Sequence, residues 1–230
     1  MLEEPGLDAE RLALERDLLD ALKAVLDHRK SGGPASPDAE ALTLRQTLPS
    51  AADDGLREIL KAISGRLSTR ACGEPAASGR LSPVLAADRF GPMTVLASPE
   101  EAVDHAMKGG RAIIDVAVSR PWWGRLLARP DLRVTGALPD DASAAPLALM
   151  IEAAQPGPTG DDRTFWVTDS GLPDARIVEA MGRLGLSAIP LAAAGGLKLF
   201  MLAGYVQAED GRLDQAPGSL KGVIGAAPVF

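Results

Sequence analysis

The chain has 230 residues, 46% hydrophobic and 24% charged, the balance of a globular protein of one or two domains. A net charge of −7 excludes a general nucleic-acid binder, which needs clustered lysine and arginine to neutralise phosphates. One cysteine rules out an intrachain disulfide, and with only two histidines a zinc centre is not expected; no metal and no cofactor is called for.

The opening "MLEEPGLDAE" is acidic and has no apolar core, so it does not read as a signal peptide. Residues 7–30 predict a helix, with Leu14, Leu18, Ala21, Leu22 and Val25 on one face and His28, Arg29 and Lys30 at the end that the helix dipole favours for cations. "SGGPASP" stops it. "DAEALTLRQTL" predicts a shorter helix. "DDGLREILKAISGRLSTR" predicts a third, with Leu56, Ile59, Leu60, Ile63 and Leu67 as its apolar stripe. One-sided helices of this length are not stable alone, so they are expected to pack on each other or on a second copy, as a homodimer. "ACGEPAASGRLSP" reads as a linker.

Beyond it the pattern alternates. "MTVLAS" predicts a strand. "SPEEAVDHAMKGG" predicts a helix with a capping box at Ser98 and Glu101, Pro99 at its first position and Gly109-Gly110 at its end. "RAIIDVAV" is a strand covered on both faces, "RPWWGRLLARP" a short helix, and "LRVTGALP" and "PLALMIEA" strands. "DRTFWVTD", the helix "PDARIVEAMGRLGL", a hairpin turning at Gly195-Gly196 and a closing strand "SLKGVIGAAPVF" complete the chain. The most apolar stretch, "SAIPLAAAGGLKLFMLAGYV", is broken by Pro190, the glycine pair and Lys198. It reads as a buried hairpin, so no membrane partner is expected and the location is read as cytoplasmic.

Chemistry-bearing patterns are few. There is no Walker sequence and no dinucleotide fingerprint. His28 and His105 both sit within helical patterns and read as ordinary helix residues rather than members of a triad. Arg11, Arg16, Arg29, Arg45 and Arg66 fall on the predicted N-terminal helices, where they either decorate solvated faces or converge on a dianionic metabolite. Trp122-Trp123 reads as a packing anchor more readily than as a ligand shelf. Gly171, in "TDSGLPDA", either serves a strand-to-helix turn through a positive φ or close packing, or marks a small-molecule site.

The order of parts, with the late Arg45-Gln46 pair, the string "SPEEAVDHAMKGGRAIIDVAV" and the ending "SLKGVIGAAP", resembles the chorismate mutase–prephenate dehydratase proteins of phenylalanine biosynthesis. The likeness is nearest to bacterial chorismate mutase-like proteins with a shortened dehydratase-like extension. It implies an α+β chain: a helical chorismate mutase-like bundle over residues 1–72, a linker over 73–82, an α/β dehydratase-like remnant over 83–154 and a ferredoxin-like, ACT-like sheet over 155–230. It implies isomerisation of chorismate to prephenate, with Arg29 and Arg45 on carboxylates and Gln46 at the ether oxygen or a hydroxyl. Arg11 would bind ligand as well. Gly171 would face an aromatic amino acid, which makes a non-enzymatic amino-acid sensor the alternative function. The family's Thr-Arg-Phe signature is absent, so no dehydratase activity is expected. The implied partners are a small dicarboxylate metabolite or an aromatic amino acid.

Overall fold

Every residue from Arg111 to Asp115 is buried, and alternate side chains there enter different apolar clusters. Such a run forms an interior strand with both faces covered. The computed structural model describes residues 37–50 and 54–230, together with scattered helical positions between 9 and 27. In chain order the elements are α1 (Pro37–Thr47), α2 (Asp54–Cys72), β1 (Ala76–Ser78), α3 (Ser82–Phe90), β2 (Thr94–Val95), α4 (Pro99–Met107), β3 (Arg111–Asp115), β4 (Arg133–Leu138), β5 (Ala148–Glu152), β6 (Asp162–Thr168), α5 (Asp174–Arg183), β7 (Ala188–Ala194), β8 (Leu197–Ala203) and β9 (Lys221–Pro228). The two tryptophans open a 3-10 turn, Trp122–Ala128, and both are fully buried beneath it as packing anchors. Trp122 Nε1 donates to the carbonyl of Asp115 at 2.8 Å.

The nine strands form one sheet in the order β2-β1-β3-β5-β4-β9-β6-β8-β7. β1 runs parallel to β2 and β3, β5 is antiparallel to β3 and β4, and β6 to β9 pair antiparallel among themselves. α4 begins as its sequence spelled out: Ser98 Oγ accepts from Glu101 N at 3.2 Å, and Gly109 ends it at φ +89. The β7–β8 hairpin turns at Gly195 and Gly196, both at positive φ, as a two-residue hairpin loop requires. The stretch read as a linker carries β1, which is buried and paired on both sides.

The expected plan of a helical bundle followed by a separate ferredoxin-like sheet does not hold. The strands after residue 155 are not a sheet of their own, because β4 pairs with β9 in parallel at Val134 and Gly225. That contact exists because residue 225 is glycine: a Cβ there would lie 2.3 Å from the carbonyl oxygen of Val134 and 2.4 Å from its nitrogen, and φ is +141. The helices likewise do not form a bundle apart. α2 packs onto α3, and Gly65 sits so close to it that a Cβ would come within 1.9 Å of the Arg89 carbonyl. Among the described residues, no helix is long and apolar enough to cross a membrane.

Gly225→Ala is expected to cost about 3 kcal/mol or more, combining a disfavoured backbone conformation with a backbone clash. Urea unfolding measures it, and a cost under about 1 kcal/mol would mean that the β4–β9 contact adapts freely.

Candidate functional site

The stripe that α2 buries is apolar only in its first turns. Ile59 is half exposed, whereas Leu56, Leu60, Lys61, Ser64, Gly65, Ser68 and Thr69 are buried. From Lys61 to Thr69 these positions follow the i, i+3, i+4, i+7, i+8 spacing of one helix face, but the residues are small or polar. A face of that kind packs close to backbone at Gly65 and leaves polar space at the serines. Beneath it, Arg111, Thr135 and Glu152 come from three adjacent strands. Between helix and sheet lies a partly enclosed cavity of about 70 Å3, walled on its apolar side by Leu44, Phe90, Ala137, Met150 and Phe230.

One end of this cavity is electrostatically closed. Asp140 accepts from Lys61 Nζ at 2.6 Å and from Arg89 Nε at 2.9 Å, and Arg89 also donates to the carbonyl of Lys61. Lys61 reaches Glu58 at 2.8 Å. Burial by itself would lower the pKa of Lys61; its hydrogen bonds to Asp140 and then Glu58 outweigh that and hold the ammonium above its ordinary 10.5.

The other end is not closed. Arg111 is 5% exposed and donates only to neutral oxygens, Ser68 Oγ at 2.8 Å and the Gly73 carbonyl at 2.7 Å. Its Nε has no hydrogen-bond partner, and among the described residues no carboxylate lies within ion-pair distance of it. Phe90 offers its ring face to both Arg111 and Arg89, at 5.8 and 5.4 Å. Directly across the β3–β5 ladder from Arg111 is Glu152, also buried, which accepts from Thr135 Oγ1 at 2.7 Å.

Of the residues singled out in the sequence, those that are described do not line this cavity. Arg11 and Arg29 fall outside the described residues. One terminal nitrogen of Arg45 lies 2.8 Å from the carbonyls of Asp161 and Val229 and 3.1 Å from Thr159 Oγ1, and its guanidinium lies over Phe230. Gln46, next on the same helix, is exposed. Gly171 is far along the sheet, exposed, with no positive φ and nothing within 4 Å of where a Cβ would be. Its expected role as a strained or closely packed turn glycine is therefore corrected. The turn is braced by Lys198, which pairs with Asp174 at 2.8 Å and donates to the Leu172 carbonyl.

The crevice where an open α/β sheet usually takes a ligand, at the carboxyl ends of strands where the strand order reverses, lies here between β1 and β3. It is filled by Asp115. Its carboxylate accepts from the backbone nitrogens of Arg80 and Ser82 at 2.7 Å and of Leu81 at 3.1 Å, and a Cβ on Gly79 would collide with it. Sequence reasoning missed Arg111, Glu152 and Thr135. The available signal was a charge at the end of otherwise apolar strands, at both ends of "RAIID" and at the last residue of "ALMIE".

No protein-family profile matches the chain, and no curated protein matches it. Among solved structures it resembles one described as GqqA, a novel type of quorum quenching acylase, at 14% identity and a TM-score of 0.46, over 68% of this chain and 95% of that one. It also resembles prephenate dehydratase from Streptococcus mutans at 13% identity and a TM-score of 0.39, over 68% of this chain and 98% of that one. Likenesses this distant carry no argument about what the chain does.

Two outcomes follow from these environments. Gly171→Ala is expected to change stability by no more than about 0.5 kcal/mol, since neither strain nor a neighbour opposes a methyl group there. A loss above about 1 kcal/mol by urea unfolding would show a constraint on the turn. For Lys61, the raised pKa means that its contribution is complete below pH 10.5 and fades as pH climbs through the folded-state value. Wild type should therefore lose stability above pH 10.5 to a greater extent than Lys61→Met does, and parallel pH profiles for the two proteins would contradict the pairing.

Proposed function

We propose that this chain is a non-catalytic binding protein for a small metabolite bearing a carboxylate, taken into the cavity between α2 and strands β3, β5 and β4. The observation that carries this is Arg111. A guanidinium stays charged when buried, and a buried charge without a counter-ion costs several kcal/mol. The chain places one at the wall of a cavity, with its Nε–H buried and without a hydrogen-bond partner. A carboxylate in that cavity supplies the missing charge, through a charge-assisted hydrogen bond to the guanidinium.

The mutase reading draws less support. It needs Arg29, Arg45 and Gln46 about one ligand. Arg45 is engaged with backbone carbonyls, and Gln46 is exposed. The hydroxyl–carboxylate contact in the cavity wall, Thr135 Oγ1 to Glu152 at 2.7 Å, joins the two side chains across neighbouring strands, and we read it as positioning Glu152.

Calorimetric titration with propionate, and separately with L-alanine, tests the proposal. At least one is expected to bind and to raise the melting temperature. Arg111→Met is expected to abolish binding while folding normally, because an apolar side chain of similar length removes the uncompensated charge. Absence of binding of either probe at about 100 times a millimolar Kd would overturn the proposal. Turnover of chorismate by the purified protein would overturn its non-catalytic part.

A further inference from the structure

Resting on that reading, we infer that the occupant of the cavity is a small α-amino acid in its zwitterionic form, with its carboxylate on Arg111 and its ammonium on Glu152. The two side chains are direct partners in the antiparallel ladder of β3 and β5, so they rise from the same face of the sheet. Both line the cavity, at 5% and 8% exposure. They are nevertheless not an ion pair with each other. Glu152 turns to Thr135, and Arg111 turns to Ser68 and the Gly73 carbonyl. Two opposite buried charges on neighbouring strands thus face one space without cancelling each other by contact.

That arrangement discriminates between ligands. A simple carboxylate on Arg111 would sit beside Glu152, and two carboxylates sharing a buried site repel. An ammonium alone would meet Arg111 as a like charge. A zwitterion answers both. An α-amino acid carries its two charged groups on a single carbon, and Cβ atoms of directly opposed residues on neighbouring strands stand about 4.5–5.5 Å apart, so one molecule reaches both. Glu152 retains acceptor capacity for an ammonium after the bond from Thr135, because an ionised carboxylate accepts at two oxygens. At the far end, Lys61 and Arg89 are already matched by Asp140 and demand no second anionic group. A dicarboxylate is therefore not what the walls ask for.

Volume sets the size. At about 10–15 Å3 for each water-sized occupant, 70 Å3 holds about five to seven non-hydrogen atoms. L-Alanine and L-serine fall in that range, whereas an aromatic side chain would extend through the open side of the cavity. The side-chain end would meet Leu44, Phe90 and Met150, which favours a methyl group over a hydroxyl.

The experiment compares L-alanine with propionate, which lacks only the amino group, on the full chain by calorimetric titration. L-Alanine is expected to bind about tenfold tighter or better, the margin of one charge-assisted hydrogen bond. Glu152→Gln keeps the shape and an acceptor for Thr135. It is expected to erase the preference while leaving propionate binding no weaker than in wild type. Propionate binding equal to L-alanine in wild type, or a preference that survives in Glu152→Gln, overturns this inference and leaves the carboxylate site standing. L-Phenylalanine binding as tightly as L-alanine overturns the size argument. Loss of every probe in wild type overturns the inference together with the reading on which it rests.

Discussion

The structure depends on one backbone contact, the approach of β9 to β4 at Gly225 and Val134. On one side of it stand three parallel strands and an antiparallel pair. On the other stand four antiparallel strands that could have formed an independent layer. A side chain at 225 would keep the two sets apart, because nothing but a hydrogen fits over the Val134 backbone. The contact also directs the chain that follows. Past Gly225, β9 delivers Pro228 and Phe230 to the wall of the cavity, where the Phe230 nitrogen donates to the Asp140 carbonyl at 2.8 Å. Arg45 then ties α1 to the same segment through the Val229 carbonyl. The residue that joins the half-sheets thereby also closes the site.

Within that frame two groups of buried charges face the cavity or its end. Asp140 with Lys61 and Arg89 is a matched cluster, and matched clusters fix geometry more than they add stability. It joins α2, α3 and the loop after β4 at one point, so the roof of the cavity keeps its distance from the floor. Arg111 and Glu152 are unmatched, each with hydrogen bonds to neutral groups and neither, among the described residues, with a counter-ion in contact. Evolution of stability alone would replace such a pair with apolar residues at little cost. Its presence on the floor of a cavity is what gives the site a chemical direction.

Much of the element order was legible in the sequence because local signals were strong. The capping box at Ser98, the buried run at Arg111–Asp115, the glycine pair of the β7–β8 hairpin and the packing of Trp122-Trp123 all follow from short-range chemistry. What was not legible depends on partners distant in the chain. The apolar stripe of α2, Leu56, Ile59, Leu60, Ile63 and Leu67, pointed to a bundle, yet beyond Leu60 the helix buries Lys61, Ser64, Gly65 and Ser68, because Arg89 and the sheet beneath offer close backbone approach and polar partners. No periodicity in α2 can show that. Arg45 stood out beside Gln46, but its acceptors at 159, 161 and 229 lie more than a hundred residues away. Arg111 and Glu152 looked like ordinary strand ends until the ladder set them opposite each other.

The placement of the cavity has a physical reason in Asp115. In a sheet with strand order reversing between β1 and β3, the backbone nitrogens at the start of α3 form an anion seat at the carboxyl ends of the strands. Here the chain supplies the anion itself, and Gly79 clears the space for it. An acidic ligand arriving there would have to displace a carboxylate already held by three backbone donors at no translational cost, so that crevice is unavailable to it at ordinary concentration. Asp115 locks the turn from β1 into α3, and α3 in turn holds Arg89 and Phe90 against the opposite end of the sheet. Filling the usual crevice with an internal carboxylate thus stiffens the helix that builds the other site, and the only unmatched guanidinium among the residues lining that site is left facing inward at the amino end of β3 rather than at its carboxyl end.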